Sequence, residues 1–165
     1  MRYYQSMPVS ISKESKDRAR DFIQKHPVGV VATSSKSGIP HAAAVYFVLD
    51  EELDIYFVTK EQTTKYKNIS ENPHVSIVMY DAENQSTLQT QGNAELVEDT
   101  AKFLKLFSKI LNVSSDTSDS DRPPVSKLFA GDYFMFKISP TEVKIAEYTK
   151  PDKGDLSNLF EIIKP

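Results

Sequence analysis

The chain has no cysteine, which excludes disulfides, thiolate metal sites and cysteine nucleophiles together. Its five glycines, at positions 29, 38, 92, 131 and 154, never fall into GxGxxG or GxxxxGKS/T spacing. Dinucleotide and P-loop phosphate cradles are therefore absent. No serine stands in a G-x-S-x-G elbow, which removes that route to hydrolysis. No apolar run approaches the roughly 18 residues a transmembrane helix needs, and the polar opening MRYYQSMPVSISKESKDR lacks the apolar centre of a signal peptide. The expectation is a cytoplasmic protein with no membrane partner. A positive excess is missing too. The formal net charge of −3 argues against a nucleic-acid partner, although a local pocket on such a chain can still hold a small anion. The three histidines, His26, His41 and His74, show none of the spacings of a metal site, and no metal is expected.

What is present has the size and composition of one globular domain over 1–165. SKESKDRARDFIQK (Ser12–Lys25) reads as a helix, with Ser12 as its cap, stopped by Pro27. The period then changes. VGVVATSS, HAAAVYFVLD and ELDIYFVT are β-branched or aromatic at strand spacing, separated by a turn at Gly38–Pro40 and an acidic hairpin at Asp50–Glu52. A short helix from about Gln62 to Glu71 leads into the strand HVSIVMY and the long strand STLQTQGNAELVE, with a bulge or close backbone approach expected at Gly92. DTAKFLKLFSKIL has a helical period and Asp99 as its cap. Residues 112–124, NVSSDTSDSDRPP, read as a flexible loop. DYFMFKISPTEVKIAEY reads as two closing strands turning at Ser139–Thr141. The expected fold is mainly β (α+β), a small antiparallel barrel with peripheral helices. Leu159, Phe160, Ile162 and Ile163 in the tail would be exposed unless they fold over a partner chain.

One junction carries candidate chemistry. In FVTKEQTTKYKNISENP, a strand end meets a helix start amid Thr59, Thr63 and Thr64 with Lys60 and Lys65. A helix N-terminus offers free N–H groups and positive potential to an anion, hydroxyls can donate to phosphate oxygens, and lysines supply charge. Thr59 with Gln62 also fits an ordinary capping box, so the cluster reads either as a cap or as a phosphate seat.

The ordered set of parts resembles the FMN-binding split-barrel superfamily, the proteins similar to pyridoxamine 5'-phosphate oxidase. Those parts are the G-V-V-A-T strand, the G-x-P turn, the Y-F-V-T strand, the T-K-x-x-N-I-x-x-N-P helix and the x-G-x-A-E segment, spanning about Asp21 to Glu98. The resemblance implies a split barrel that pairs as a homodimer, with FMN in a groove at the interface. It implies that Thr59 lies beside the ribityl phosphate and that Thr63, Thr64 and Lys65 grip it, with Lys60 near by. It places Ala43, Ala44, Val45 and Tyr46 along the isoalloxazine edge. Small side chains there would let a planar ring approach the backbone, and tight strand-on-helix packing explains Ala42–Ala44 equally well. Thr87 and Gln89 share one face of their strand with Gln91 and match the family's polar contacts to the flavin ring. The oxidase itself carries an arginine near the position of Ala43, and a C-terminal tryptophan and arginines. This chain has no tryptophan and no arginine after Arg122, so oxidation of pyridoxamine 5'-phosphate is not expected. The implied activity is a flavin-dependent oxidoreductase acting on an unknown small molecule. The alternatives are a flavin carrier or stress-associated binding protein without turnover, or a split barrel that binds haem or a deazaflavin.

Overall fold

The structure is a computed structural model that describes residues 13–112, 131–149 and 160–163. The elements run α1 (Lys13–Lys25), β1 (Val28–Ser34), β2 (Pro40–Tyr46), β3 (Val48–Leu49), β4 (Ile55–Lys60), α2 (Thr64–Glu71), β5 (His74–Asp81), β6 (Ser86–Leu96), α3 (Thr100–Asn112), β7 (Tyr133–Glu147) and β8 (Phe160–Ile163). The strands form one antiparallel sheet in the order β2-β1-β5-β6-β7-β4-β3, with β8 added to β7.

That order dictates the shape. β2 and β3 are the two ends of the path, yet only Phe47 separates them in the chain. Two sheet edges joined by one residue can meet only if the sheet curls on itself, and the seam is closed by chain connectivity instead of a hydrogen-bonded ladder. This is a split barrel. Phe47 lies at the seam with its side chain 1 % exposed, edge-on to Phe57 at 6.0 Å between centroids, and its N–H donates to the Pro27 carbonyl at 2.7 Å.

Burial follows the sequence period. In β5, Val75, Ile77, Met79 and Asp81 point inward while His74, Ser76, Val78 and Tyr80 are exposed, the alternation of a strand with one wet face. β4, by contrast, is buried at all six positions. One face packs into the barrel, and the other, with Tyr56 and Val58, meets Leu106 and Ile110 of α3. A continuous apolar run is what a strand covered on both faces requires. α1 supplies Ala19 and Ile23 to the barrel core.

Asp99 caps α3 by accepting the Lys102 N–H at 2.9 Å. The register between β6 and β7 shifts at Gln91/Gly92, and a Cβ at Gly92 would lie 2.4 Å from the Ser139 carbonyl oxygen. Glycine is needed there for close approach.

Three expectations are corrected. Residues 133–147 form one strand, not two: Ser139 and Pro140 sit opposite Asn93 and Gly92, at the irregularity, and β7 bends there while its ladder continues. The bend lets its first half pair with β4 and its second half with β8. The tail residues Phe160–Ile163 join the chain's own sheet, with Ile163 buried in its core. The helix expected from Gln62 begins at Thr64. Ser12, Leu159 and residues 113–124 of the expected loop lie outside the described residues.

At the base of the barrel, Asp81 is buried and accepts hydrogen bonds from Asn84 Nδ2 at 2.7 Å and from the Glu83 and Asn84 N–H groups. His26 Nε2 lies 3.1 Å away. The Asn84 amide, working against burial and aided by the turn N–H groups and His26, holds the carboxyl below the usual aspartate range. A depressed folded-state value means this stabilisation is complete above the unfolded value of about 3.9. It is lost as pH falls through the folded value.

Two outcomes follow. Phe47→Ala is expected to cost about 3–5 kcal/mol in urea unfolding, as a large buried aromatic does on truncation. Asp81→Asn is expected to lower stability at pH 7, with the gap to wild type narrowing as pH drops below about 3.9; a gap constant with pH would refute the linkage.

Candidate functional site

The strand–helix junction is built from hydroxyl protons that are already committed. Thr63, with extended backbone at φ −80° and ψ 149°, is the N-cap of α2. Its Oγ1 accepts from the Tyr66 N–H at 3.3 Å and donates to the Lys60 carbonyl at 2.8 Å. With that single proton spent, the 2.9 Å contact between Thr59 Oγ1 and Thr63 Oγ1 runs from Thr59 to Thr63. The expected capping box at Thr59 and Gln62 is therefore replaced. Thr59 ends β4 and braces the cap, while the Gln62 side chain packs against Gly131.

Other groups at the junction are left without a partner. In the first turn of α2, the N–H groups of Thr64 and Lys65 and the Thr64 hydroxyl have no partner among the described residues. The Lys65 ammonium has no carboxylate partner either, and burial pushes it below the ordinary lysine value. No acidic residue stands in that turn. A partly desolvated cation at the positive end of a helix is unfavourable by itself and suits an anion.

Lys60 is not part of this group. It is buried on the other face of β4, where its ammonium donates to the Gly131 carbonyl at 2.5 Å and lies 3.6 Å over the Tyr133 ring. Strand alternation separates it from Thr59, its neighbour in sequence.

β2 flanks the junction. It is an edge strand, hydrogen-bonded on one side to β1 and packed against both α2 and β4. Half of its backbone N–H and C=O groups therefore face away from any ladder. Ala43 and Val45 face inward; Ala42 and Ala44 are exposed on the outer face, and Tyr46 packs towards α3. Ala42 and Ala44 are exposed, so packing against a helix does not account for them. Asn68 and Asn72 tie α2 to β1, donating to Thr33 Oγ1 at 3.0 Å and Ser34 Oγ at 2.8 Å.

Thr87 and Gln89 stand on the outer face of β6, with Ser86, Leu88 and Thr90 buried behind them. In the sheet order β6 is three strands from β2, roughly 14 Å along the surface at normal strand spacing. One chain does not bring them to the α2 seat. Thr87 Oγ1 is nevertheless buried without a hydrogen-bond partner, and so is His41 Nδ1 at the start of β2. His41 was not singled out for this site from sequence, because a lone histidine in a strand carries no spacing signal.

A curled antiparallel sheet split between β2 and β4, with three helices around it, is the fold of the FMN-binding split-barrel superfamily. Residues 15–145 match the profile of the pyridoxamine 5'-phosphate oxidase family, and the chain belongs to it. It is 31% identical over 110 residues to general stress protein 26 of Bacillus subtilis (strain 168), covering 65% of this chain and 77% of that protein. Among solved structures it is similar to a putative pyridoxamine 5'-phosphate oxidase from Listeria innocua, with 25% identity, TM-score 0.61, and 79% and 97% of the two chains covered. It also resembles a pyridoxamine 5'-phosphate oxidase-related, FMN-binding protein from Nostoc punctiforme, with 15% identity, TM-score 0.58, and 96% and 100% covered. Among the described residues no helix is long and apolar enough to cross a membrane, and no group of three or more His, Asp or Glu side chains could hold a metal ion.

The division of labour at the seat has a measurable consequence. Thr63→Ala is expected to lower stability by about 1 kcal/mol, the usual cost of a lost N-cap. Thr64→Ala, one residue on, is expected to leave urea unfolding unchanged, because its hydroxyl has no partner in the fold; equal losses would contradict the assignment.

Proposed function

We propose that the chain binds FMN as a homodimer and serves flavin-dependent redox chemistry on a small molecule. Lys65 carries the reading. Its half-buried ammonium belongs to the first turn of α2, as do two free helix N–H groups and the Thr64 hydroxyl, and among the described residues it lacks a counter-ion that a phosphate would supply. Thr59 and Thr63 set the shape of the seat, and β2 from Ala43 to Tyr46 offers small side chains and an open backbone edge to a planar ring. These residues fit the group. Bound FMN would supply hydride and electron transfer, and the chain's part is to bind, orient and exclude water.

The outer sheet face supports the dimer. Val28, Val78 and Tyr80 are 47%, 40% and 56% exposed there, next to Ala32, Ala42 and Ala44, a continuous apolar surface of the kind that marks an interface. The same face carries Gln89 and the orphaned Thr87 hydroxyl. A two-fold pairing makes one patch meet its own copy, and it is the arrangement in which residues too far from their own seat can reach the partner's.

Titration with FMN and riboflavin tests the seat. Lys65→Ala is expected to weaken FMN roughly tenfold or more, the scale of a charge-assisted contact, and riboflavin, which lacks the phosphate, much less. Equal losses would remove the phosphate role, no FMN binding would remove the function, and a Soret band on purification would assign haem instead. Reduction of bound flavin by NADH or NADPH in stopped flow separates an oxidoreductase from a carrier. Val78→Asp is expected to shift the protein from dimer to monomer in sedimentation and to weaken FMN with it.

A further inference from the structure

We propose that His41 is a second recognition residue of the α2 seat, its Nδ1–H donating to a phosphate oxygen of the bound ligand. The inference rests on the FMN reading and adds a residue to it. Among the described residues two buried side-chain atoms have no hydrogen-bond partner, Thr87 Oγ1 and His41 Nδ1. A buried polar atom left unpaired is costly, and native proteins keep few of them.

Placement connects His41 with Lys65. On β2 it shares the inward-facing side with Ala43 and Val45, and its cross-strand neighbour on β1 is Thr33. The Thr33 hydroxyl donates to the His41 carbonyl at 3.4 Å and accepts from Asn68 Nδ2 at 3.0 Å. Asn68 lies three residues after Lys65, on the same side of α2. Thr33 and Asn68 thus join the strand that carries His41 to the helix that carries Lys65. Thr33 spends its proton on the His41 carbonyl and so cannot donate to the ring. Ala43, two positions along from His41, is too small to fill the space.

Charge points the same way. A phosphate monoester carries about −1.5 to −2 at pH 7; of the two lysines in the first turn of α2, Lys65 is half-buried and Lys67 is exposed, while Lys60 is turned to Gly131 and Tyr133. Beside the Thr64 hydroxyl, His41 adds a donor whose buried nitrogen has no partner among the described residues.

The position of that nitrogen gives the test. His41→Asn keeps a polar group near the place of Nδ1, whereas His41→Gln moves it to the place of Nε2 and His41→Phe removes it. FMN affinity is expected to be largely retained in His41→Asn and to fall roughly tenfold or more in His41→Phe and His41→Gln, with riboflavin affinity little changed in all three. If His41→Phe does not fold, His41→Gln decides. In the wild type, FMN is expected to move the imidazole ¹⁵N resonances of His41, with His26 and His74 as internal references. Wild-type binding of FMN with unchanged affinity in His41→Gln and a still His41 resonance would overturn the role of His41 and leave the FMN reading standing. Failure of the wild type to bind FMN would overturn both.

Discussion

Everything else in this fold depends on how two sheet edges are brought together by one residue. Phe47 ends up inside the barrel because it links the strands at opposite ends of the sheet path. Its ring occupies the space beside Gly29, where a Cβ would lie 3.1 Å from Phe47 Cε2 and 2.7 Å from both Met79 Cγ and the Val78 carbonyl oxygen. A closed barrel would have paired the β2 backbone on both sides. The split leaves that strand with one open edge, and α2 is laid beside it by Asn68 and Asn72. The open edge of β2 is thus a product of incomplete closure.

Where β4 meets α2, committed and free groups are separated by proton accounting. Thr59 and Thr63 look alike in sequence to Thr64, yet their hydroxyl protons are spent on holding the cap, and only Thr64 retains one to offer. Lys60 and Lys65 divide in the same manner. Lys60 is neutralised in effect by a carbonyl and an aromatic face, while Lys65 is left partly desolvated without a counter-charge. A chain of net charge −3 can still attract an anion at one point, because the local field of a helix N-terminus and one lysine outweighs distant surface carboxylates that solvent screens.

Most strands, their antiparallel character and α3 were legible from period and cap residues, since alternation and capping are local physics; β8 was not, and HAAAVYFVLD reads as one strand where the chain forms β2 and β3 on either side of Phe47. Gly92 was legible as a close approach because nothing else excuses a glycine inside a long strand. The continuity of β7 was not: Ser-Pro-Thr reads as a turn, and only the irregular register opposite Gly92 turns it into a bend. Nor was the cap legible as Thr63, because Thr59 with Gln62 satisfies the same spacing rule and only the strand's reach to Lys60 displaces it. At the seat, Thr63, Thr64 and Lys65 were visible as a cluster, but the removal of Lys60 depends on which face of β4 it occupies. His41 gave no pattern at all. Its significance lies in a missing partner, which exists only in three dimensions.

The distance from β2 to β6 carries the last consequence. Seat and polar outer face lie three strand spacings apart in one chain, so a flavin held at the seat and touched by Thr87 must be shared between two copies. Such a ligand binds the dimer better than the monomer, and linkage then requires that ligand and dimerisation strengthen each other to the same degree. The small and apolar side chains of the outer face are suited to this. They permit close approach without committing the interface to a dense set of ion pairs, and they leave the specific polar contacts to Thr87 and Gln89. Specificity and assembly would then reside in the same surface.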